Sequence, residues 1–194
     1  MKKILFGIAI TAISFAACNT GNNNKANENS NTGNDTTQSK PQANPAETNV
    51  TSPISEVING YLHIKNALTN DNGNDAANGG KEMVAAIGKL DKTSFTGQQK
   101  KVYKDVADDV KENAEHIGDN AGKIDHQREH FDMLSQDMYE LVKAFSGGQT
   151  LYQDYCPMYN NNKGATWLSE TKEIKNPYLG KKMPTCGSVK EEIK

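Results

Sequence analysis

The sequence predicts an all-α fold, an antiparallel four-helix bundle with an irregular C-terminal tail packed on it. Three observations point there. Between about Pro53 and Phe145, apolar residues recur at spacings of three and four in four successive runs. Short turn-forming stretches separate these runs, as antiparallel neighbouring helices require. After Ser146-Gly147-Gly148 the periodicity fades, yet Tyr152, Tyr155, Trp167, Leu168, Ile174, Tyr178 and Leu179 remain, and only the helices offer them a surface.

Helix one is predicted to begin just after Ser52-Pro53, with Ile54, Val57, Ile58, Tyr61, Ile64 and Leu68 on one face, and to end at Asn70-Asp71-Asn72-Gly73. His63 falls opposite that face and reads as a solvated surface histidine. Helix two, from about Asp75 to Lys89, buries Ala76, Met83, Val84, Ile87 and Leu90, with Met83 as core filler. Helix three, from about Gly97 to Gly118, repeats Val102, Tyr103, Val106, Val110, Ala114 and Ile117, and Thr96 is placed to cap it. Its charged far side reads as a solvated face, and His116, at the edge of the apolar stripe, receives no role. Helix four, from about Asp125 to Phe145, has the clearest stripe: Ile124, Phe131, Leu134, Met138, Leu141, Val142 and Phe145. His126, His130, Met133 and Asp137 form a second, narrower stripe beside it.

Ahead of the domain, residues 1–18 have the anatomy of a secretory signal: Lys2 and Lys3, an apolar run from Ile4 to Phe15, then small residues before a cysteine. Phe15-Ala16-Ala17-Cys18 resembles the bacterial lipobox, which implies cleavage before Cys18 and lipidation of its thiol. Residues 19–52 are rich in Asn, Thr, Ser and Gly and almost free of large apolar side chains, the composition of a disordered tether. As a flexible coil that length reaches roughly 30 Å, enough to hold a domain clear of lipid headgroups. The folded domain is expected over residues 53–189, with residues 190–194 disordered. The expected location is the bacterial cell envelope, lipid-anchored and periplasmic or at the outer membrane.

A formal net charge of only -2 gives no electrostatic case for nucleic acid. No nucleophile elbow, phosphate-binding glycine loop or Cys-x-x-Cys-His motif is present, so the chain does not read as an enzyme. The chemistry concentrates in sulfur. Cys156-Pro157-Met158 and Met183-Pro184-Thr185-Cys186 bracket the tail, and soft thiolate and thioether donors select monovalent copper or silver. In an oxidising compartment the same thiols can instead close a Cys156–Cys186 disulfide around a loop of about 30 residues, worth roughly 3–4 kcal/mol in the chain-entropy picture. The two tail ends must be adjacent on either reading. His126 and His130, one helical turn apart, have the spacing of a helical metal pair and stand as additional candidate ligands.

The stretches YLHIKNAL (Tyr61 to Leu68), HQREHFDMLS (His126 to Ser135), LVKAF (Leu141 to Phe145), YCPMYNNNKGATWLS, IKNPYLGKKM and TCG resemble an uncharacterised helical domain of unknown function common in Bacteroidetes. That domain occurs as a stand-alone exported protein and at the C-terminus of periplasmic adaptors of copper/silver-type efflux pumps. The resemblance implies association with heavy-metal efflux. Cys-Pro-Met is similar to the short metal-binding motif of such adaptors, but Tyr159 stands where that motif has His. The chain lacks the hairpin, lipoyl-like and barrel segments of an adaptor. The resulting expectation is a lipid-anchored envelope protein that binds monovalent copper or a similar soft metal, for buffering or hand-over to an efflux adaptor. The alternative is a non-metal helical interaction module whose tail is locked by the disulfide.

Overall fold

Four long helices form because four amphipathic runs each hide an apolar stripe, and in the computed structural model, which describes residues 52–194, they pack in chain order. They are α1 (Ser55–Thr69), α2 (Gly73–Gly88), α3 (Gly97–Asp119) and α4 (Ile124–Phe145). α1 meets α2, α2 meets α3, α3 meets α4, and α1 also touches α4. Each boundary lies within a few residues of its predicted place, and the starts of α2 and α3 have a local cause. Asn72 caps α2 through a bond from the Asp75 N–H. Thr96 caps α3 in a reciprocal box, its Oγ1 accepting from the Gln99 N–H while the Gln99 side chain accepts from the Thr96 N–H.

Glycines let the helices approach closely. A β-carbon on Gly60 of α1 would lie 2.8 Å from the Met83 Cα, and one on Gly80 of α2 would lie 2.7 Å from the Ala114 carbonyl oxygen. Met83 is fully buried, as core filler should be. Tyr61 stacks on Phe131 with ring centroids 5.0 Å apart. Its hydroxyl accepts from the Leu168 N–H (2.9 Å) and donates to Ser135 Oγ (2.8 Å), so the core ties α1 and α4 to the tail.

The tail departs from expectation. It is not irregular, and the fold is therefore not purely all-α: β1 (Leu151–Cys156), β2 (Ala165–Ser169) and β3 (Ser188–Ile193) form an antiparallel sheet in the order β2-β1-β3. Alternation is hard to see in these strands because β2 is buried at nearly every position and β1 carries a buried Asp154. Asn160, Asn161 and Asn162, all with left-handed φ, turn the chain between β1 and β2, a conformation asparagine tolerates better than most residues. Residues 190–194, expected to be disordered, contain most of β3, which β1 holds by backbone pairing.

The tail docks as expected, with Trp167, Leu168 and Tyr178 buried. Arg128 of α4, itself nearly buried, donates to the carbonyls of Pro177 (2.8 Å) and Leu68 (3.1 Å) and to the Asp71 carboxylate, joining three parts of the chain at one guanidinium. Among the described residues no helix is long and apolar enough to cross a membrane. The signal, Cys18 and all of the tether but Ser52 lie outside the described residues.

Candidate metal centre

α3 ends at Asp119 and α4 begins at Ile124, so the last turns of one helix lie beside the first turns of the other. His116 occupies the end of α3. His126 and His130 occupy the start of α4 and point toward it. One ring nitrogen from each of the three lies within 4.8 Å of the other two, and all three side chains are half-buried. The His116 and His130 rings stack nearly parallel with centroids 4.2 Å apart, and His126 meets His130 edge-on at 4.5 Å.

His130 is held in one orientation by a defined chain of bonds. Asn113 of α3, nearly buried, donates its Nδ2–H to the Asp109 carbonyl (2.9 Å), which turns its Oδ1 toward His130 Nδ1 (2.9 Å). An amide oxygen only accepts, so Nδ1 must carry the proton, and Nε2 keeps its lone pair. Burial, and then the charges that His116 and His126 would carry, lower the His130 pKa below the ordinary histidine range, which favours the neutral ring that ligates metals. Glu112 lies 3.8 Å from His116 Nε2 and Glu129 lies 3.7 Å from His126 Nδ1, placing negative charge behind two more rings.

Nitrogen ligands at about 2.0–2.1 Å from a tetrahedral ion stand about 3.3 Å apart, so the three nitrogens must draw closer and the parallel His116 and His130 rings must tilt until their lone pairs converge. Three imidazoles would leave a fourth position facing solvent. Beside His130 a shallow groove is lined by Asp109, Glu112, Met133 and Asp137. Met133 is 45% exposed there. Burial, then the neighbouring Asp109 and Glu140, push the Asp137 carboxyl up to about 6.

The sulfurs form a separate set. Cys156 is fully buried at the end of β1, Cys186 is partly exposed, both are free thiols, and the two interact directly. The expected adjacency of the tail ends is therefore present. Met158 is half-exposed, and Met183 accepts the Cys186 N–H at its carbonyl (3.2 Å). Burial and then the neighbouring Cys156 push the Cys186 thiol up to about 11.

The tail contacts α4 through Arg128, Ser135, Tyr139 and Lys143. At about 100° per residue, His126 and His130 lie roughly 160° around the helix from Arg128, on either side of the far face. Neither cysteine belongs to the histidine cluster. His126 and His130 thus gain a partner that the sequence did not single out, His116, and do not join the tail sulfurs. The missed signal was symmetry about the turn: His116 lies four residues before Asn120 and His126 three residues after Lys123. His63, read as solvated, is instead bonded to Glu82 (2.8 Å) and Asp75 (3.2 Å), and the Glu82 bond raises its pKa.

A family described as protein of unknown function (DUF3347) matches residues 57–150. No curated protein and no solved structure matches the chain. The match runs from inside α1 to the residue before β1, so it includes all three histidines and stops short of the tail. Residues 57–150 are accordingly a DUF3347 domain, of unknown function, and the candidate metal centre lies inside it.

Proposed function

We propose that this chain is a non-catalytic metal-binding protein that holds one transition-metal ion through His116, His126 and His130. The observation that carries this reading is the convergence of three ring nitrogens within 4.8 Å, with His130 pre-oriented by Asn113. The four long helices, read as an antiparallel bundle, serve as the rigid frame. Neutral imidazoles favour borderline divalent ions, and among these copper binds more tightly than nickel or zinc. The cargo then shifts from monovalent copper at sulfur to a divalent ion, copper foremost, at nitrogen. Half-buried rings with an open fourth position allow ligand exchange without unfolding, which suits buffering or hand-over better than permanent structural storage.

Lipidation at Cys18, with the tether behind it, would fix the site at the cell envelope, and the resemblance to domains fused to copper/silver efflux adaptors makes such an adaptor the proposed recipient. X-ray absorption of the zinc-loaded, tag-free protein tests the ligand set. A first shell of nitrogen and oxygen at about 2.0–2.1 Å is expected, whereas sulfur at about 2.3 Å would overturn the histidine assignment.

A further inference from the structure

Cys156 and Cys186 are brought together by backbone pairing, independently of the histidines. Tyr155 pairs with Ser188 in the β1–β3 register, which sets Cys156 opposite Gly187 and beside Cys186. The second cysteine is fixed without any covalent link. The fully buried Asn176 donates its Nδ2–H to the Cys186 carbonyl (2.7 Å) and its N–H to the Pro184 carbonyl (2.8 Å). Its Oδ1 accepts from the N–H groups of Tyr178 and Leu179, both at 2.8 Å. Burial and the neighbouring Cys156 outweigh the Met158 N–H, which favours the Cys186 thiolate. The two thiols differ in access: Cys156 is 0% exposed, and Cys186 reaches solvent.

Two uses compete for such a pair. Holding a monovalent ion between two thiolates leaves a net negative charge, and no cation is among the groups acting on Cys186. A disulfide is neutral, so the partly apolar setting, with Trp167 and Ile174 near Gly187, favours it.

We propose that Cys156 and Cys186 form a thiol–disulfide exchange site whose substrate is an external disulfide, with Cys186 as the attacking thiol and Cys156 as the resolving one. In the first step the Cys186 thiolate attacks one sulfur of the external disulfide. A mixed disulfide forms at Cys186, the external S–S bond breaks, and one external thiolate leaves and takes up the proton that Cys186 released. In the second step the Cys156 thiolate attacks Cys186 Sγ, closing the internal disulfide and expelling the second external thiolate, which is protonated in turn. Two protein thiols are oxidised, and one external disulfide is reduced to two thiols. The product joins the end of β1 to the segment before β3 and closes the tail's own loop between them. Because the Cys186 thiol ionises well above neutral pH, the first step accelerates about tenfold per pH unit between about pH 7 and 9.

The test uses the full, lipidated chain in detergent, reduced, freed of reductant and mixed with oxidised glutathione, then quenched by alkylation and mapped by peptide mass. A reversible Cys156–Cys186 cross-link is expected. Cys156→Ser is expected to accumulate glutathione on Cys186, and Cys186→Ser to leave Cys156 unmodified. Two alkylated cysteines in the wild type, or glutathione on Cys156 of Cys186→Ser, would overturn the proposal. Should Cys156→Ser fail to fold, brief maleimide labelling of the reduced wild type tests the same order of attack. Cys186 must react first, and prior reaction of Cys156 contradicts the assignment.

Discussion

Asp154 is a carboxylate in a place that does not suit one. It is fully buried, neither of its oxygens nor the Nε1–H of Trp167, its cross-strand neighbour, finds a partner among the described residues, and burial raises its pKa to about 7, partly offset by Lys65. The folded state therefore keeps a proton that the unfolded chain releases near the ordinary carboxylate range. The stability Asp154 contributes is complete below about pH 4 and is lost as pH rises through about 7. Asp154→Asn copies the protonated form. It is expected to match the wild type near pH 4 and to be more stable at pH 8, the gap opening between those values in urea unfolding curves. Asn113 belongs to the same scale. Its side chain orients His130, so Asn113→Ala is expected to weaken metal affinity about 10- to 100-fold in a competition titration while sparing the three rings.

At the scale of elements, the helices were legible and the sheet was not. Helix spacing survives in the sequence because each helix buries one stripe over 15 residues or more, and α2 and α3 begin on readable side-chain caps. The strands are five or six residues long, β2 is buried on both faces, and β1 spends a core position on Asp154, so no period-two pattern shows. The same reasoning explains the site. His126 and His130 share one helix and one spacing, whereas His116 joins them only after the α3–α4 turn has folded. The Thr96 capping box lies at the opposite end of α3 from His116. Thr96→Ala is expected to lower unfolding stability by about 1 kcal/mol and to leave metal affinity unchanged, separating the frame from the site.

At the scale of the molecule, α4 is the divide. One face carries Arg128, Ser135, Tyr139 and Lys143 and receives the tail with its thiol pair; the other turns His126 and His130 toward α3. The sequence pattern had gathered sulfurs and histidines as one candidate ligand set, because it carries no information about which side of a helix a distant tail will choose. Folding separates them into two groups, candidate nitrogen ligands at the end of the α3–α4 hairpin and a thiol pair at the end of β1 and just before β3. His116 distinguishes this arrangement from every single-helix alternative, so the most direct measurement is a copper(II) titration, against a competing chelator, of the tag-free wild type and His116→Ala. One ion per wild-type chain and an affinity at least about 100-fold weaker in His116→Ala is the expected result. Equal affinity in the two proteins, with binding lost instead on replacing Cys156 and Cys186, would contradict it.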